Sequence, residues 1–139
     1  MNVRHLIADV ALHAFGYAVA VVAAVLVAVA FMFAPAIFSD ADGGMTVFQE
    51  EWPAVVLYGI VVTAATGLPG FVTFAMLARR QGWRGWQVHA LAGLANAGLA
   101  LFLLHMVLRF PGLLPMHVIV PAFPGGLVGG IAYLSLIHI

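Results

Sequence analysis

The chain has 139 residues, 65% of them apolar and 7% charged, with five basic and five acidic side chains that cancel. A soluble domain is about 25% charged, so this composition cannot cover a water-facing surface. It excludes a soluble enzyme, a disordered tail and a nucleic-acid binder, which would need a basic face. The absence of cysteine removes a disulfide framework, a thiolate metal site and a cysteine nucleophile. An integral membrane protein remains, with the lipid bilayer as its first partner.

A bilayer core about 30 Å thick takes about 20 apolar residues in helical form. The first such window covers about residues 10–33 and holds no charged residue. Around its start, His5, Asp9 and His13 stand at i, i+4 and i+8, one row on a helix. A carboxylate between two imidazoles can orient a ligand or relay a proton. Because the row begins at the membrane edge, the expectation is a solvated helix start in which Asp9 pairs with Arg4. Ala34-Pro35-Ala36 looks like a small-residue cleavage site. The apolar run before it is about 24 residues, against about 7–15 in a signal peptide, which predicts an uncleaved anchor.

The next segment, 39–52, carries Asp40, Asp42, Glu50 and Glu51 and no basic residue. Asp40, Asp42 and Glu51 fall at positions 1, 3 and 12 of a calcium loop, but Met45 stands where that loop needs glycine, so no calcium site is expected. Thr46 with Gln49 fits a capping box opening a short interfacial helix before Pro53. The second window covers about residues 53–78, with Gly59, Thr63 and Gly67 at four-residue spacing. Arg79, Arg80 and Arg84 follow. The third, about 88–108, contains Gly93, Asn96 and Ala97, and Arg109 lies beyond it. The fourth, 117–139, carries two overlapping GxxxG pairs in Gly125, Gly126, Gly129 and Gly130.

The last six residues, Leu134-Ser135-Leu136-Ile137-His138-Ile139, resemble the translation of CTG TCT CTT ATA CAC ATC. That is the mosaic end of a transposon used in preparing sequencing libraries. The resemblance implies that residues 134–139 are non-native and the fourth helix is cut short; an ordinary apolar helix end is the alternative.

The windows predict an all-α fold in one domain: an integral-membrane four-helix bundle, its short connections making consecutive helices antiparallel up-down neighbours. Uninterrupted apolar runs argue against a membrane barrel. Four of the five arginines fall at the N-terminus or in the second connection, which places the N-terminus in the cytoplasm. Trp83 and Trp86 suit the inner interface, Trp52 and Tyr58 the outer one. A chain without lysine and rich in Ala, Gly and Val points to a GC-rich bacterial gene, and so to a multi-pass protein of the inner membrane.

Within lipid no hydrophobic force drives helices together, so close backbone approach and hydrogen bonds must do so. The small-residue faces, Ala20, Ala24 and Ala28 included, are therefore expected to pack within the bundle, with a dimer seam through Gly126 and Gly130 as the alternative. Asn96, near mid-span, should face the bundle and bond to Thr63, Thr66 or a tyrosine hydroxyl, because an unpaired amide there is costly. Two histidine pairs at two depths, His13 with His89 and His105 with His117, invite a haem reading. His89 and His105, however, lie about 160° apart round their helix. No cofactor, metal or catalytic constellation is expected. Paired helix interruptions at Pro69 and Pro124 can mark a transporter, yet they fall at unequal depths. The leading expectation is a non-enzymatic accessory or scaffold subunit acting through helix–helix assembly, as a homo-oligomer or with another membrane protein. A small transporter or channel subunit, with a polar path near Asn96, Thr63 and Thr66, is the alternative.

Overall fold

The computed structural model describes residues 3–38, 44–83, 85–108 and 114–137. These form four helices: α1 (Val3–Phe38), α2 (Gly44–Gln81), α3 (Trp86–Leu108) and α4 (Met116–Ile137). All four are long and apolar enough to cross a membrane, the pattern of a multi-pass membrane protein. Helix is the form that satisfies every backbone group inside one segment when no water is present. Asp40, Asp42, Arg84, Arg109 and His138 lie outside the described residues.

Helix α1 begins seven residues ahead of the apolar window and carries the expected row of His5, Asp9 and His13. One boundary differs from expectation. No separate interfacial helix precedes Pro53, since α2 starts at Gly44 and runs unbroken through Pro53 and Pro69. Proline removes one intrahelical bond without ending a helix where neighbouring groups relieve it. Helix α4 likewise continues through Pro121 and Pro124.

Helix α1 packs against α4 and α2, and α3 packs against the same two; among the described residues the backbones of α1 and α3, and of α2 and α4, stay apart across the diagonals. That closed ring of neighbours is compatible with a membrane helical bundle. Helix α4 is the most enclosed, because its glycine doublets give it two close-packing faces. A Cβ added at Gly125 would lie 2.5 Å from the Ala24 carbonyl oxygen of α1, and one at Gly126 would lie 2.5 Å from the Gly93 carbonyl oxygen of α3. Gly129 sits against Ala20 and Ala24, and Gly130 against the His89 backbone. Both GxxxG faces are thus occupied within the chain. Large apolar side chains such as Ile7, Phe15, Leu57, Leu91 and Phe102 point outward, the arrangement expected where lipid replaces water.

Helix α2 ends at Gly82, whose φ of 66° lies in the left-handed region. The Trp83 amide donates to the Ala78 carbonyl at 3.0 Å, closing a glycine-based helix cap. Gly82→Ala is expected to lower stability by about 1–2 kcal/mol, read as a drop in the unfolding temperature of the purified protein.

Candidate functional site

With glycine and alanine turned inward, the helices approach closely where α4 meets α1 and α3 but leave space between α2 and the rest. The result is a chamber of about 370 Å³ walled by all four helices. Its lining is largely apolar: Ala20, Ala24 and Ala28 from α1, Gly93, Ala97 and Ala100 from α3. Asn96, Thr63, Thr66 and Tyr17 supply polar groups, and none of the lining residues is Asp, Glu, Lys or Arg.

Asn96 projects from α3 into a notch on α2. Its amide presses on Gly70, while a Cβ at Gly67 would lie 3.1 Å from the Asn96 Nδ2. The Asn96 Oδ1 is buried and has no hydrogen-bond partner. The bond expected from Thr63, Thr66 or a tyrosine does not form. Instead, Thr66 Oγ1 donates to the Val62 carbonyl at 2.8 Å, and Tyr17 Oη donates to the Ala64 carbonyl at 2.7 Å. For Thr66 the nearest acceptor is the carbonyl one turn back on its own helix, whereas Tyr17 reaches across from α1 to a backbone carbonyl of α2. Thr63 lines the chamber, as do Gly59, Gly67, Gly126, Gly129 and Gly130.

A second group gathers at the other end of α2. The Arg79 guanidinium donates to the Asp9 carboxylate at 2.6 Å, joining α2 to α1. Asp9 was expected to pair with Arg4; helix packing brings it a guanidinium from 70 residues away. His13 Nδ1 donates to the Asp9 carbonyl at 2.8 Å, and its ring stands 3.5 Å from the Asp9 carboxylate. A carbonyl can only accept, so Nδ1 carries the ring proton. His89, 2% exposed, repeats the arrangement on the Gly85 carbonyl at 3.0 Å. His5 and His117 are exposed, and His105 is half-buried. Among the described residues no three His, Asp or Glu side chains gather where a metal could be held.

Between the two groups lies Tyr133, 5% exposed. Its ring meets Phe71 edge-on at 5.0 Å, His13 at 6.2 Å and His89 at 6.2 Å. Gly16 makes room for it, since a Cβ there would sit 3.0 Å from the ring. Phe74 closes the far side of His89 at 5.5 Å. Nothing in the spacing of His13, Phe71, His89 and Tyr133 marks them as one cluster, because each comes from a different helix.

Comparison with protein families, with curated proteins and with solved structures returns no match.

Proposed function

We propose that the chain is an up-down four-helix bundle of a bacterial inner membrane, N-terminus cytoplasmic, that holds a small and largely apolar molecule in its central chamber as a transport component. The carrying observation is the Asn96 Oδ1, buried on the chamber wall without a partner. An acceptor left unpaired costs about 1–3 kcal/mol, a penalty that a ligand bearing an N–H or O–H would relieve. A chamber of about 370 Å³ also falls in the range of small-molecule sites, about 300–1,000 Å³. The absence of charged lining residues suits an uncharged ligand.

Up-down topology is supported by the contact order, Ala20 with Gly129 and Ala24 with Gly125 on α1 and α4, Val25 with Gly59 and Asp9 with Arg79 on α1 and α2. The cytoplasmic N-terminus rests on the arginine distribution. An accessory subunit working by helix assembly would have Asn96 bonded to a neighbouring helix and a glycine face free for its partner. The unpartnered Asn96 oxygen and the occupied α4 glycines favour the chamber instead.

The test is thermal unfolding of the detergent-purified protein with 1-octanol or with octane added. Octanol should raise the unfolding temperature more than octane does, and Asn96→Leu should erase the difference. Identical responses of the unmodified protein to the two probes would end the proposal.

A further inference from the structure

The chamber is not the end of the internal space. A second cavity of about 270 Å³ lies at the Arg79 end, lined by His13, Ala78, Arg79 and Trp83 among others. Tyr133 and His89 belong to the walls of both cavities. They are nearly the most enclosed side chains in the structure, at 5% and 2% exposure, and they are held by rings from α1 and α2. At the opposite end the chamber wall reaches His117 and Tyr58, which are both exposed. Sixteen residues of α4 separate His117 from Tyr133, about 24 Å at about 1.5 Å per residue. The chamber lining therefore extends over a distance close to that of a hydrocarbon core about 30 Å thick, with exposed residues at one end and aromatic rings at the other. Beyond the rings the lining turns polar, with the Arg79 side chain 64% exposed and ion-paired to Asp9.

We infer that Tyr133 and His89 form a closed partition in a transmembrane path for an uncharged, hydrogen-bond-donating solute, which moves between the chamber and the second cavity when the partition opens. The inference rests on the chamber being a solute site, as proposed above. A packed partition of this kind has two discrete states, because interdigitated rings yield all at once rather than gradually. Asn96 holds the solute on one side of it. The ion-paired vestibule of Asp9 and Arg79, with His13, meets it on the other.

The chain has no cysteine, so single introduced thiols report access directly. Thr63→Cys places one in the chamber and Ala78→Cys one in the second cavity. The probe is a glucose-coupled methanethiosulfonate, uncharged and membrane-impermeant, applied to right-side-out and inverted vesicles. Thr63→Cys should react from one side only, opposite to the side from which Ala78→Cys reacts. Adding Tyr133→Ala should open Thr63→Cys to the Ala78 side as well, about tenfold faster or more, since a minor open state is populated at about 0.1–10%. Tyr133→Leu keeps apolar bulk against Phe71 and carries the same comparison if the alanine variant does not fold. Equal reaction of Thr63→Cys from both sides before any change at Tyr133, or an unchanged Ala78-side rate after it, overturns the partition. Failure of Thr63→Cys to react even with permeant methyl methanethiosulfonate would overturn the chamber itself, a separate result.

Discussion

Gly126→Ile is expected to unfold the protein rather than to dissociate an assembly. The first atom of the new side chain would lie 2.5 Å from the Gly93 carbonyl oxygen and 2.7 Å from the Ala97 Cβ. The carbonyl is backbone in the middle of α3 and cannot rotate aside, so α3 or α4 must move as a whole. Helix α4 cannot give way freely, because Gly125 and Gly129 seat it against Ala24 and Ala20 on its other face. Overpacking a side chain into a core costs about 1–3 kcal/mol; two helices held apart on both faces should lose more. The expected result is a large fall in the folded fraction in mild detergent, read by unfolding temperature and size-exclusion profile. Gly98→Ala is the control: an added Cβ there meets nothing within 4 Å, and stability should rise by up to about 1 kcal/mol from helix propensity. A Gly126→Ile protein that keeps its unfolding temperature and changes only its mass would show that this face meets a second chain.

Asn96→Leu should do the reverse to the empty protein. The substitution removes a buried oxygen that has no partner and leaves a side chain of similar size facing Gly67 and Gly70. Relieving that penalty should stabilise the protein by about 1–3 kcal/mol, while abolishing the preference for octanol over octane. An asparagine acting as glue between helices gives the opposite sign, a loss averaging about 0.6 kcal/mol for an intramembrane hydrogen bond. The direction of the change in unfolding temperature therefore separates a ligand contact from a structural bond. A destabilised Asn96→Leu variant would remove the observation on which the proposed function stands.

The four apolar helices, their small-residue faces and the mid-helix position of Asn96 could all be read from the chain. Each depends on local composition: run length fixes whether a segment can cross lipid, and residue size fixes how near a second backbone can come. Helix ends were less legible. Pro53 reads as a boundary, yet α2 passes through it, because the bond a proline removes can be made good by surrounding groups that linear order does not show.

Partners were the least legible. Asp9 bonds to Arg79, 70 residues away in sequence; Asn96 has hydroxyls near its level, yet that of Thr66 turns back to a carbonyl of its own helix and that of Tyr17 crosses to a backbone carbonyl of α2. The sequence by itself determined four helices long and apolar enough to cross a membrane, meeting through glycine and alanine. Only the tertiary structure decided that α4 uses both glycine faces inside the chain, that a chamber remains beside α2, and that Tyr133 and His89 line it. The physical reason is range. Burial in lipid and close approach follow from each segment's own residues, whereas a cavity is the space left when four separate surfaces have been fitted together.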